Sequence, residues 1–318
     1  MKYIILLILL LPINVGAQPI TQTEFLMGTF ASITSFKKTN TSIVNQCFDT
    51  LFSLDNTLSL TKEDSLINNL GMKKTTLPPD IYNLIQRGLY YSYQSQGAFD
   101  ITIAPLTNLW RIGFDDAKIP TEKEIITAQN LVNYNNVVLE DNSIYFLKPN
   151  MKLDLGSIAK GYATDIVVDI LTKNNVDKSI INIGGNVYIL SNTPLTVELQ
   201  DPHAATGETF ATLSLSNQSI VTTGIYERYL DEYHHILDPK TGYPYQNELP
   251  SVSIIGTSSL DSDCLSTTAF ALGLESGLKY IEHLPDYEGI FVTKDKKVYV
   301  TPNVNLVITN KDYEIYDL

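Results

Sequence analysis

The chain has 318 residues, a formal charge of −13 and an apolar share of 44%, enough apolar surface for one large core or two modest ones. So acidic a surface repels a phosphate backbone and argues against general nucleic-acid binding, although backbone amides and one well-placed cation can still hold a nucleotide locally. The two cysteines, Cys47 and Cys264, lie in segments that read as helical and half-buried, so no disulfide between them is expected.

The first residues, MKYIILLILLLPINVGAQP, carry one Lys, an apolar run from Tyr3 to Leu11, and Val15 and Ala17 three and one positions before a cut after Ala17. This pattern reads as a secretory signal peptide over 1–17, leaving 18–318 as the mature domain of an exported protein. An uncleaved anchor is the second reading, but the run falls short of the roughly 20 residues that span a bilayer. Removing 1–17 takes away Lys2 and no acid, which moves the charge from −13 to −14.

Next, EFLMGTFASITSF alternates as a strand does, and 42–58 places Val44, Cys47, Phe48, Leu51 and Phe52 at the spacing of an amphipathic helix. Pro78 and Pro79 open a second helix that stops near Gly97. Residues 121–133 read as helical, and NNVVLEDNSIYFL as two short strands about an Asp-Asn turn. LDLGSIAKGYATD, 153–165, leads into a helix with Ile158, Ala163, Ile166, Val167, Ile170 and Leu171 along its core-facing stripe. Strands dominate from 178 to 255, after which a helix over about 260–272, a second to about His283 and two final strands close the chain. Runs of strands with helices interspersed predict an α+β fold, mixed and antiparallel sheets with packed helices, rather than a doubly wound sheet.

No G-x-S-x-G, H-E-x-x-H or G-x-G-x-x-G is present, and four scattered His with two Cys make no zinc spacing. Four polar constellations remain. In LDLGSIAKGYATD the Gly-x4-Gly spacing opens like a P-loop, yet Tyr162 and Ala163 stand where that loop requires Lys and Ser/Thr. Gly156 permits close backbone approach, the helix start offers free N–H groups to an anion, and Lys160 adds charge one turn in, with Asp154 before it. The plainer reading has Ser157 as an ordinary helix cap and Lys160 in water.

In SLDSDCLSTTAFALG, Asp263 and Thr267 are four apart, so their oxygens can converge on one hard cation. Alternatively Asp261 or Asp263 caps the helix and Thr267 bonds back into it. In YHHILDPKTGYP, His234 and His235 alternate faces before an Asp-Pro turn, so one of them can face a pocket as a proton acceptor and either can be structural. GAFDITIAPLTNLWRIGF groups Phe99, Asp100 and Trp110, the aromatics of a flat-ring pocket or of ordinary core.

Taken in order, MGT at Met27, GAFDITIAPLTNLW, LDLGSIAKGYATD, INIGGNVYIL, HILDPKTG and SDCLSTTAFALG resemble the ApbE family, FAD:protein FMN transferases, from Met27 to about Leu272. Members of that family are exported or membrane-anchored, placing this chain in the periplasm or at the outer face of the inner membrane. They split FAD with Mg2+ and attach FMN through its phosphate to a Thr or Ser hydroxyl of a target protein, releasing AMP. Known targets of the family are flavin-carrying subunits of Na+-translocating quinone reductases, Rnf-type complexes and other exported flavoproteins.

The resemblance implies an ApbE-like fold of two intertwined subdomains with the site between them. It places Met27, Ala98, Phe99, Asp100, Asp154, Lys160 and Leu237 against FAD. Ser157, through its backbone carbonyl, Asp263 and Thr267 would hold Mg2+, and Ser266 matches a position that ligates in some members. His235 would be the base for the incoming hydroxyl, with His234 facing away. The chain departs from the family at Thr61, where an aromatic is common, at Ile225, where Asp often follows the Gly, and in LTVELQDP, which lacks a small Gly. An FAD pyrophosphatase that releases FMN and AMP, and a non-catalytic periplasmic flavin-binding protein, remain as alternatives.

Overall fold

The computed structural model describes residues 19–36, 41–205, 207–226 and 228–317, so the signal peptide expected at 1–17 lies outside the described residues. EFLMGTFASITSF, expected as one strand, is a hairpin: β1 (Ile20–Leu26) and β2 (Thr29–Ser35) pair antiparallel about Met27 and Gly28. Both turn residues are left-handed, φ 51° and 71°, the conformation whose twist matches the flanking strands. Gly28 adopts it freely, whereas Met27 does so against its Cβ. Met-Gly is not a strong turn dipeptide, which is why the alternation reads straight through it.

Helix α1 (Thr41–Leu58) buries Val44, Cys47, Phe48, Leu51, Leu54 and Leu58, the period of a helix laid on a core. After β3 (Thr75–Thr76), α2 (Pro79–Gln94) starts on a proline, whose missing N–H costs nothing in a first turn. Then come α3 (Ala104–Trp110), a short helix that the sequence pattern does not announce, and α4 (Glu122–Gln129), opened by a reciprocal capping box between Thr121 and Glu124. β4 (Val137–Glu140) and β5 (Ser143–Phe146) flank left-handed Asp141 and Asn142.

The second half begins with α5 (Ala159–Lys173), followed by β6 (Lys178–Ile183), β7 (Asn186–Ser191), β8 (Leu195–Gln200), β9 (Thr209–Leu215) and β10 (Gln218–Gly224). Two-residue strands β11 (Tyr229–Leu230) and β12 (Tyr233–His234) precede β13 (Ser251–Gly256), α6 (Ser259–Leu272) and α7 (Leu274–Glu282). The end holds β14 (Tyr287–Val292) and β15 (Lys297–Val300) plus the short β16 (Val307–Ile308) and β17 (Glu314–Tyr316), four strands where two are expected.

One nine-stranded sheet runs β1-β2-β6-β7-β10-β13-β14-β15-β17, antiparallel except for the last pair; β16-β9-β8, β3-β5-β4 and β11-β12 form separate sheets. The fold is therefore α+β. Its largest core draws on residues from Leu26 to Phe291 and includes the buried faces of α1, α2, α5 and α6. A second core lies where Phe210 and Leu213 meet Ile220, Ile290 and Val298, and a third gathers Leu106, Trp110, Ile112, Ile125 and Leu237. Cys47 and Cys264 are free and each is fully buried on a helix face that packs into the main core.

The contact that sets the functional region is α5 against α6. A Cβ on Gly161 would stand 2.3 Å from the carbonyl oxygen of Ser259, so only glycine lets the two backbones approach this closely. Four residues on, Asp165 accepts from the main-chain N–H of Ser259 (2.8 Å) and Leu260 (3.0 Å) and from Ser258 Oγ (3.1 Å). The two main-chain groups are orphan donors at the start of α6, where a carboxylate is also favoured by the helix dipole. Ser258, not Asp261 or Asp263, is the cap, accepting from Asp261 N. Asp261 instead takes a two-pronged bond from Arg87 (2.6 and 2.9 Å) and one from Tyr287 (2.9 Å), pinning α2 and β14 to α6.

Gly161→Ala gains up to about 1 kcal/mol of helix propensity but drives a methyl into rigid backbone, an overpacking that costs roughly 1–3 kcal/mol. The contact is well inside van der Waals distance, so a net loss of about 1 kcal/mol or more is expected in urea denaturation. Unchanged stability would show that the helices separate freely.

Candidate active site

A cavity of about 280 Å³ opens beside this helix joint. Its walls come from the turn before α5, the middle of α6, the end of β10, the turn after β12 and the segment around α3. Asp154, Ser157, Lys160, Asp263, Thr267, His235, Leu237, Ala98, Phe99 and Asp100 all line it, although they span residues 98 to 267.

The turn before α5 is held by its own carboxylate. Asp154 Oδ1 accepts from Gly156 N (2.8 Å), Oδ2 from Thr107 Oγ1 (2.8 Å), and its N–H donates to Ile101 O (2.7 Å), tying the turn to α3. The residue preceding the helix is Ile158, with no side-chain cap, so Ser157 is not a helix cap. Lys160 does not point to water: its Nζ donates to Gly156 O (3.0 Å) and lies 3.8 Å from Asp263 Oδ1.

Asp263 is 3% exposed, and its Oδ2 accepts from Gly161 N at 2.9 Å. Burial pushes its pKa up, while the Lys160 ammonium, the Gly161 N–H and the Asn186 side chain pull it down. One turn later, Thr267 Oγ1 is 3.2 Å from Thr223 Oγ1 of β10 instead of bonding back into its helix. Ser266, fully buried, donates to Asp263 O (3.0 Å), meets Thr223 Oγ1 (2.8 Å) and does not line the cavity. Among the described residues no three His, Cys, Asp or Glu gather as a metal cluster. Asp263, Thr267 and Ser157 instead offer oxygen donors with a single carboxylate. Such a set fits a hard cation like Mg2+, which takes few protein ligands and completes its shell with water and substrate phosphate.

The two histidines divide as their alternation requires. His234 is buried with Nε2 2.8 Å from Tyr245 O and Nδ1 accepting from Ile236 N (3.2 Å), so both nitrogens are engaged. His235 is half-buried on the cavity wall, its main-chain N–H donating to Arg228 O and its Nδ1 3.3 Å from the same carbonyl. A carbonyl only accepts, so Nδ1 carries the proton and Nε2 keeps its lone pair. Desolvation first, then the nearby Arg228 guanidinium, push the His235 pKa down to about 3. A neutral imidazole with a free Nε2 is a proton acceptor at physiological pH.

Asp100 contributes shape more than charge. Oδ1 accepts from Thr102 N (2.8 Å) and Oγ1 (2.7 Å), and Oδ2 from Tyr134 N (3.1 Å), while burial raises its pKa. Tyr245 donates to Ala98 O (2.8 Å) and Trp110 Nε1 to Gly242 O (2.9 Å), fixing the apolar wall where Phe99 and Leu237 sit. Met27 stands apart: it packs half-buried on the main core, and Thr29, just past the hairpin turn, lines the cavity.

Sequence reasoning assigns no role to Thr29, Thr107, Gly184, Thr222, Thr223 or Arg228, which also line the cavity; the first three sit inside the quoted motifs without a chemical signature of their own. Of the departures, Thr61 is exposed, bonded to Ser59, and Ile225 packs on the main core; neither lines the cavity.

A family profile described as the ApbE family matches residues 27–291. The FAD:protein FMN transferase of Klebsiella pneumoniae is 35% identical over 288 residues, covering 87% of this chain and 90% of its own. That of Treponema pallidum is 28% identical over 315 residues, covering 89% and 87%. The crystal structure of the ApbE protein from Thermotoga maritima superposes with a TM-score of 0.81 at 26% identity, covering 89% of this chain and 97% of its own.

Because the folded-state pKa of both His234 and His235 lies below the ordinary histidine value, the unfolded chain binds protons first as pH falls. Their contribution to stability is therefore complete above about pH 6.5 and is lost on acidification. Nitrogen-15 NMR of the imidazoles should show His235 neutral, protonated on Nδ1, at pH 5. A His235 that titrates near pH 6.5 would contradict this geometry.

Proposed function

The chain belongs to the ApbE family, and from that premise we propose that it is a Mg2+-dependent FAD:protein FMN transferase. On this reading it splits FAD and attaches FMN through a phosphoester to a Thr or Ser hydroxyl of a target flavoprotein, releasing AMP. The observation that carries the reading is the joint of α5 and α6, which brings Asp263, Lys160 and the Ser157 turn into one cavity with a neutral His235.

The apolar wall of Phe99, Ile103 and Leu237 suits the flavin ring, and the uncapped start of α5 with Lys160 suits the phosphates. Asp263, Thr267 and the Ser157 carbonyl would hold Mg2+, which when bound neutralises phosphate charge. As the acceptor oxygen bonds to the FMN-side phosphorus, its proton passes to Nε2 of His235. The bond from that phosphorus to the bridging oxygen breaks, and AMP leaves with that oxygen. The Arg228 carbonyl, accepting from Nδ1, steadies the imidazolium that forms.

The apolar leader read at 1–17 supports export, with action in the periplasm or at the outer face of the inner membrane. Flavin-carrying subunits of Na+-translocating quinone reductases, Rnf-type complexes or other exported flavoproteins are the acceptors that fit such a location.

Incubation with FAD, Mg2+ and such a subunit should leave flavin fluorescence on the acceptor band in a denaturing gel. Free FMN with no labelled acceptor would instead identify a pyrophosphatase. His235→Ala should keep FAD binding while transfer falls about 10²- to 10⁴-fold, the usual worth of a positioned base. Asp263→Ala should lose Mg2+-dependent FAD cleavage; cleavage at the wild-type rate would remove Asp263 from the cation set.

A further inference from the structure

Among the described residues lining the cavity, the cations are Lys160 and Arg228. Lys160 is already placed, on Gly156 O and near Asp263. Arg228 is placed differently. Its stem lies against Gly113, where a Cβ would meet Cδ at 3.0 Å and Cγ at 3.3 Å, and Nη2 makes a long contact of 3.4 Å with Gly28 O. Gly113 sits at φ 93°, so two glycine turns, at 28 and 113, form a slot through which this arm reaches the cavity. Arg87 and Arg111 are each paired with a carboxylate, Asp261 and Asp116, whereas Arg228 shows no ion pair among the described residues.

The main chain of the same residue faces the base. Arg228 O accepts from His235 N (3.2 Å) and from His235 Nδ1 (3.3 Å). One residue therefore presents a planar, permanently charged fork to the cavity and fixes the tautomer of the proton acceptor. A guanidinium matches two phosphate oxygens at once, which an ammonium cannot do.

We propose that Arg228 is a substrate-binding residue: its guanidinium binds non-bridging oxygens of the diphosphate, while its carbonyl keeps His235 in the tautomer that accepts a proton. The assignment rests on reading the cavity as an FAD site. It makes diphosphate binding and base alignment properties of one residue, so that engaging the phosphates also steadies the segment holding His235.

The test is to titrate the unmutated chain, Arg228→Lys and Arg228→Ala with FAD, ADP and riboflavin. Losing charge-assisted hydrogen bonds should weaken FAD and ADP binding about 10- to 100-fold in Arg228→Ala. Arg228→Lys should fall between, and riboflavin, which has no phosphate, should bind all three within about twofold, the spread that a loss of this size easily exceeds. Arg228→Lys keeps the stem along Gly113 and so controls for packing. Riboflavin affinity that falls in step with FAD would show a merely structural role and overturn the proposal. So would FAD affinity that Arg228→Ala retains. If the unmutated chain bound no FAD, the reading of the cavity would fail and this assignment with it.

Discussion

Everything at the site depends on how closely two helix backbones can pass. Gly161 lies so near Ser259 O that no larger residue fits, and that approach is what puts Gly161 N within 2.9 Å of the Asp263 carboxylate. A separation greater by the width of a methyl group would leave Asp263 buried with neither its N–H donor nor its Lys160 neighbour. A buried carboxylate lacking partners is costly and takes up a proton. The glycine thus acts at the electrostatic level as well as the steric one: it lets the fold keep an anionic oxygen fixed inside a low-dielectric wall. There it attracts a cation far more strongly than at a wet surface.

The other side of the same joint shows how that position is enforced. Asp165 satisfies the first donors of α6, and burial raises its pKa to about 6 despite three hydrogen bonds. Arg87 grips Asp261 on a further face of α6. With α2, α5 and β14 all tied to its first turns, α6 cannot slide or rotate without breaking buried polar contacts. Asp263 and Thr267 inherit that rigidity, since they sit one turn apart on the same helix. Sites built on such braced elements hold their geometry better than sites on loops.

Periodicity made much of the fold legible, because α1 and α2 carry their apolar residues at helical spacing and the strands alternate. It failed where conformation depends on something other than apolar pattern. The Met27-Gly28 turn uses left-handed backbone at a residue that rarely adopts it, and α3 is too short for its period to stand out. Motif spacing raised Lys160, Asp263 and Thr267 beside plainer readings and left His234 and His235 open, the resemblance singled out His235, and the structure brings Lys160, Asp263, Thr267 and His235 to one cavity. Spacing could not say that Ser157 is no cap, since that depends on the backbone of Ile158. Nor could it find Arg228, which matters only because two distant glycines make room for its arm.

Two neighbouring histidines show how one physical cause yields different consequences. Desolvation lowers the pKa of both. In His234 each nitrogen already has a partner, so the ring is a fixed strut between Tyr245 and Ile236. In His235 only Nδ1 is engaged, and Nε2 is left as a lone pair on the cavity wall. The two rings thus share a direction of shift and differ in what they offer: His234 holds the wall together, and His235 presents the cavity with a proton acceptor.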